Sequence, residues 1–219
     1  MKRSFVLRAL IALVFCVAFS IAVMVTGMGT AEAGGGSKTP SGAQAAANET
    51  SAGEAPALQS PAAAYCVSKG GEVVDRQPYY NTNDNEQNWF QLSGNREFCK
   101  FTSKKDGSRI HVLLTTLYTE QPSLAALAYY AKVPIGSCNG NPASCYCSLL
   151  GGTDLFGGIN LNGGGWVQKT DLIDTVLETC IFPDLSSIDS WGLTYHSAGI
   201  IRGKDLSKVL RYSDPYAAK

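Results

Sequence analysis

Few residues in this chain could do chemistry. Its 219 residues hold seven cysteines and two histidines. Cys16 lies in an apolar run near the N-terminus, which leaves Cys66, Cys99, Cys138, Cys145, Cys147 and Cys180. Six thiols in an exported chain favour disulfides and allow fifteen pairings. Zinc needs four clustered ligands, and Cys138-x6-Cys145-x-Cys147 lacks the C-x2-C spacing of a zinc knuckle, so no metal or other cofactor is expected. A catalytic thiol needs an unpaired cysteine beside a histidine, and an even count leaves none to spare.

The histidines, His111 and His196, read as ordinary strand residues. A catalytic His196 would need a nucleophile, and the chain has no G-x-S-x-G elbow. Asp184 and Asp189 in "PDLSSID" are the one carboxylate pair that could serve hydrolysis, but without a defined cleft they read as turn residues. "NTNDNE" at 81–86 alternates oxygen side chains as a calcium loop does, yet lacks the sixth-position glycine and has Leu92 in place of the bidentate glutamate. It reads as a polar hairpin loop. "GGINLNGGGW" at 157–166 has no strand-then-helix context for phosphate and reads as a mobile turn. No catalytic set emerges, so an enzyme is not expected. A hydrolase carried by Asp184, Asp189 or His196 remains the competitor. The more suggestive residues are rings among amides and glycines: Tyr79, Tyr80, Trp89 and Phe90, then Phe156, Asn160, Asn162 and Trp166. Such loops on a stapled scaffold suit protein or glycan contact, and Tyr79, Tyr80, Trp89 and Trp166 are the candidates for it. The same rings would equally close a small hydrophobic core.

The chain's ends and charge set the context. Lys2, Arg3 and Arg8 precede an apolar run from Ala9 to Val25, followed by "AEA" at 31–33. This reads as a signal peptide cleaved after Ala33. The run is also close to the length of a membrane span, so an uncleaved N-terminal anchor stays open. Residues 34–58 are Gly, Ser, Ala, Pro and Thr with little to bury, a disordered linker. Asn48-Glu49-Thr50 fits a glycosylation acceptor. Of 18 basic and 18 acidic side chains, residues 1–33 hold Lys2, Arg3, Arg8 and Glu32, leaving 15 and 17. With no basic cluster to neutralise phosphates, nucleic acid is an unsuitable partner. An extracytoplasmic home is expected: secreted, periplasmic or attached to the cell envelope.

The elements that position these residues are written twice. "SPAAAYCVSKGG" at 60–71 lies 81 residues before "NPASCYCSLLGG" at 141–152. At the same offset Cys99 falls on Cys180 and Phe101 on Phe182, and "LAALAYY" at 124–130 matches "LSKVLRY" at 206–212 at an offset of 82. The pattern predicts two tandem units, 59–135 and 136–219, of an α+β fold. Each opens with a short helix, 61–69 and 142–150, capped by Ser60 or Asn141 with proline next and a left-handed glycine after it. About three antiparallel strands follow: 72–76, 97–102 and 110–118, with counterparts 166–170, 177–182 and 191–196. A helix closes each unit, 122–132 and 204–212.

Duplication narrows the disulfides. Cys66–Cys99 and Cys147–Cys180 pair within their own units, and the unrepeated Cys138 and Cys145 pair with each other. Cys145 and Cys147 are about 200° apart around a helix and cannot share a face. Bridges between units are the symmetric alternative.

The phrase Pro-Ala-(x)-x-Tyr-Cys-x-x-x-Gly-Gly, then Cys-x-Phe-Pro-Asp, then Trp resembles the domain of unknown function 333 family, small exported prokaryotic domains that often carry a haemolysin label. The second unit carries it through "NPASCYCSLLGG" and "CIFPDLSSIDSWGLTY", the first through "SPAAAYCVSKGG" and "CKFTSKKDGS", with Leu113 where Trp191 would fall. The family's additional cysteines are missing from both units, and the loop after Gly-Gly is longer. The resemblance implies an exported, disulfide-bearing domain and brings no reaction with it. A pore is not supported, since the chain beyond residue 33 shows no long alternating strand pair or strongly amphipathic helix. Expected instead is a non-catalytic binding module of the cell envelope or exterior with a protein or glycan ligand; the alternative is an inhibitor or accessory factor of another exported protein.

Overall fold

The computed structural model describes residues 60–154 and 162–217. The expected signal peptide, the linker with Asn48, and Phe156 and Asn160 lie outside the described residues.

Helices α1 (Pro61–Ser68) and α4 (Pro142–Leu149) begin as their caps dictate. Ser60 Oγ accepts the Ala63 N–H at 3.1 Å, and Asn141 Oδ1 accepts the Ala143 N–H at 2.9 Å. Each is followed by Gly-Gly, and the two glycines of a pair do different work. Gly70 and Gly151 turn the chain out of the helix at φ 80° and 82°. Gly71 and Gly152 make room for sulfur. A Cβ at Gly71 would collide with Cys99 Sγ and lie 2.8 Å from Cys66 Sγ; one at Gly152 would collide with Cys180 Sγ and lie 2.9 Å from Cys147 Sγ.

The strands are β1 (Glu72–Tyr80), β2 (Phe90–Gln91), β3 (Arg96–Thr102), β4 (Arg109–Leu113), β5 (Gly164–Val167), β6 (Val176–Leu177), β7 (Thr179–Ile181) and β8 (Ser187–Asp189). They form one antiparallel sheet in the order β6-β5-β1-β3-β4-β8-β7, with β2 also on β1. Both halves of the chain therefore contribute to one sheet. After Gly152 only Thr153 pairs beside β7, with Ile181. The chain next enters the described structure on the far side, where β5 lies along β1.

Several expected elements end elsewhere. The strand expected over 110–118 stops at Leu113, and residues Leu114–Tyr118 are a short helix, α2. "WGLTYH", expected as a strand, lies in helix α5 (Ser190–Ser197), whose first turn is held by Asp189 Oδ1 accepting the Gly192 N–H at 2.8 Å. Both sequences are rich in Thr, Trp and Tyr, which favour strands in isolation. Packing overrides that preference, because α2 lies on α1 and α5 on α4. Helix α3 (Leu124–Ala131) matches the expected closing helix, but at 204–212 only a 3₁₀ turn, Leu206–Lys208, forms. There the Arg211 N–H bonds to the Leu117 carbonyl, not back along a helix, and the Leu206 N–H bonds to Tyr129 Oη. The "mobile turn" at 157–166 ends in strand β5, where Gly165 lets β6 approach closely: a Cβ there would meet Val176 Cγ1 at 2.6 Å.

Directly paired residues share a sheet face. Val73, Cys99, Val112, Ile188 and Cys180 form one row across β1, β3, β4, β8 and β7. They face the larger core with Phe101, Ile110, Leu117, Tyr129, Tyr146 and Leu193. Disulfides Cys66–Cys99 and Cys147–Cys180 tie α1 and α4 onto this row, each with a sequence separation of 33, and Cys138–Cys145 closes a small loop before and into α4. On the opposite face Val74, Phe98 and Leu113 line up beneath Trp166 and Leu177, the smaller core. Beside them on that face stand Glu72, Lys100 and His111 in one row, with Arg76 and Arg109.

Candidate interaction site

The hairpin joining β5 to β6 covers these charged residues. Its centre is Asp171. One carboxylate oxygen accepts from Arg109 at 3.1 Å and from the Ile173 and Asp174 N–H groups at 3.2 and 3.1 Å. The other accepts from Arg76 at 3.1 Å and has Lys100 Nζ at 3.7 Å. Arg76 is fully buried, and it also donates to the Trp166 and Asp174 carbonyls at 3.2 and 2.7 Å. Arg109 reaches Asp174 as well, at 3.0 Å. Burial pushes the Arg76 pKa down, opposed by Asp171, Asp174 and Asp189. Burial pushes Asp171 up, but the two N–H groups with Lys100 and Arg109 outweigh it, and the carboxyl stays below its ordinary value.

Arg76 also meets His111 Nε2 at 3.3 Å, and a guanidinium can only donate. His111 Nε2 is thus the acceptor and its proton sits on Nδ1, which faces Asp189 Oδ2 at 3.6 Å. His111, Asp171 and Asp174 bring ligand atoms within 4.8 Å of one another, the spacing of a metal site. Arg76, Lys100 and Arg109 already neutralise that cluster, so a divalent cation would meet three fixed positive charges. The arrangement is an ion-pair clamp.

What the clamp holds is a loop with an apolar tip. Leu172 and Ile173 are 89% and 75% exposed, directly above the buried guanidinium. Thr175 Oγ1 donates to the Asp171 carbonyl at 2.8 Å, and the Gln168 N–H bonds to the Thr175 carbonyl at 3.0 Å, so the loop is tied at both ends. A recess of about 340 Å³ beside the tip is lined by Glu72, Lys100, Arg109, Gln168 and Thr170.

The ring residues expected to make contacts divide. Tyr79 and Trp89 form an edge-to-face pair at 6.1 Å, with Trp89 Nε1 donating to the Asp84 carbonyl at 2.9 Å. Lys169, from the clamped hairpin, lies over Tyr79 at 5.8 Å and pairs with Glu86 at 2.7 Å. This ring pair therefore borders the hairpin. Tyr80 Oη accepts from Asn162 at 3.2 Å. Trp166 is different: it is buried against Phe98 at 5.6 Å and belongs to the smaller core. Phe90, on β2, is 62% exposed.

The catalytic candidates are occupied structurally. Asp184 accepts from Ser186 N–H and Oγ with one oxygen and from the Leu124 N–H with the other, fastening the start of α3. Asp189 caps α5. His196, on a helix and not a strand, stacks on Tyr129 at 3.7 Å with neither ring nitrogen hydrogen-bonded among the described residues. Burial foremost, then Lys132, push its pKa down to about 4. The polar loop at 81–86 closes on itself: Asp84 accepts from the Asn85 N–H and from Asn88 Nδ2 at 2.7 and 3.0 Å.

Sequence reasoning missed Arg76, Lys100, Arg109 and Asp171. The available signal was basic residues at strand positions in step with core residues, "EFCKFT" and "RIHVL".

Three disulfides suit an oxidising, extracytoplasmic environment. Among the described residues no helix is long and apolar enough to cross a membrane. No family model, no curated protein and no solved structure matches the chain.

Proposed function

We propose that this is an exported, non-catalytic binding module, directed out of the cytoplasm by residues 1–33 and built from two tandem copies of one small unit of the kind found in the domain of unknown function 333 family. One observation carries the binding reading: a buried network of Arg76, Arg109, Lys100 and Asp171 fixes a loop that offers Leu172 and Ile173 to water. Ionised groups are costly to bury, and aliphatic side chains gain nothing from exposure. A fixed apolar protrusion gains when it meets a surface, because its ordering cost is already met. Engagement of Asp184, Asp189 and His196 in caps and a ring stack supports a non-catalytic role.

Duplication is supported by matching details. Both disulfides span 33 residues, both second glycines sit against sulfur, and Thr153–Ile181 repeats Glu72–Lys100 at the offset of 81.

The test is substitution. Asp184→Ala and His196→Phe leave partner binding intact in a binder, measured by cross-linking in the exported fraction of the native host. Loss of a hydrolytic turnover in folded variants would instead make the protein an enzyme.

A further inference from the structure

We infer that Leu172 and Ile173 form a plug that enters an apolar pocket of a second folded protein, an inference that rests on the binding reading above. The loop's geometry is over-determined. Asp171 receives two backbone N–H groups and three cations, while Arg76 grips the Asp174 carbonyl from below. Such rigidity rewards a pocket of fixed shape. A bilayer accepts an apolar side chain in any orientation, and two aliphatic residues alone reach only about millimolar binding. A lipid surface would also want free basic groups or interfacial rings at the tip. Lys100 is tied to Glu72 at 2.9 Å, and Arg109 to Asp171 and Asp174. A glycan would want a ring or an amide there, and the tip offers neither.

The surroundings match the anatomy of a protein interface, an apolar centre inside a polar rim. On one side is the recess of about 340 Å³ with Glu72, Lys100 and Gln168, shaped to receive a polar side chain of the partner. On the other is the Lys169–Glu86 pair with Tyr79 and Trp89.

The experiment places a photo-crosslinking residue at Thr170, beside the tip, and in a second protein at Gln87, beside Trp89. Each is irradiated in the exported fraction of the native host, with unlabelled protein as competitor. The expected result is a saturable protein adduct from position 170 that excess wild-type protein abolishes. A Leu172→Ser, Ile173→Ser double variant, its fold checked by circular dichroism and disulfide mapping, should compete roughly 100-fold less well. Equal competition by the double variant overturns the plug. So does co-sedimentation with phosphatidylglycerol–phosphatidylcholine vesicles that the double variant loses, which would assign the tip to lipid. An adduct from position 87 but not from 170 leaves the binding reading standing and removes the plug. No saturable adduct from either position removes both.

Discussion

Cys99 and Cys180 stand in one row of the sheet, separated by Val112 and Ile188 and facing the same helical layer. Each fixes a different helix to that layer, so the two long bridges stabilise separate attachments and their losses should add. Closing a loop of this length stabilises by roughly 3–4 kcal/mol on the chain-entropy model. Cys66→Ala with Cys99→Ala is expected to lower unfolding free energy by about that amount in urea titrations, and Cys147→Ala with Cys180→Ala by a similar amount. The short Cys138–Cys145 loop should matter less, roughly 2 kcal/mol.

The paired glycines give a sharper test. Gly71→Ala places a methyl against both sulfurs of a bridge, and overpacking of this kind costs about 1–3 kcal/mol. Gly94→Ala, in a left-handed turn with open space around it, should cost only about 1 kcal/mol. Melting curves of the two variants, with Gly152→Ala as the second bridge control, should show Gly71→Ala and Gly152→Ala alike and lower than Gly94→Ala.

The clamp makes a third prediction. Asp171→Ala leaves buried Arg76 without its carboxylate and should destabilise by about 3–5 kcal/mol. Replacing both partners, Arg76→Met with Asp171→Leu, should recover a large part of that loss. Denaturant titration of the three variants measures the coupling. Equal losses for the single and double variants would remove the clamp from the stability of the fold.

His196 sets an acid limit. Its ordinary pKa near 6.5 applies to the unfolded chain, and burial lowers it to about 4 in the fold. Between these values the unfolded chain binds the extra proton, so stability falls as pH drops from about 6.5 to about 4 and levels below that. The full effect is roughly 3 kcal/mol. His196→Phe, which keeps a ring against Tyr129, should flatten this part of a stability–pH curve.

How much of this was legible in the sequence depended on whether the signal was local. Ser60-Pro61 and Asn141-Pro142 announced helices, Gly70 and Gly151 their ends, and the six cysteines pair as the repeat predicted. Residues 114–118 and 191–196 were not legible, because Thr, Trp and Tyr favour strands until a neighbouring helix claims them. The fixed offset also misled: it holds at 81 through Cys180, then shortens, since Cys99 pairs Val112 whereas Cys180 pairs Ile188. Leu113 thus stands where Asp189 does, just ahead of its helix, and not where Trp191 does. The clamp was hidden for another reason. Lys100, Arg109 and His111 look solvent-facing until Asp171, far along the chain, is known to cover them.

Arg76 has one more implication. Its acceptors, the Trp166 and Asp174 carbonyls and Asp171, are all made about ninety residues or more after it. A ribosome delivers β1 long before anything exists to receive that guanidinium. Residues 60–135 produced by themselves would have to keep it hydrated, with one flank of β1 bare, and should aggregate or stay loose until residues 162–178 are supplied, even as a separate peptide.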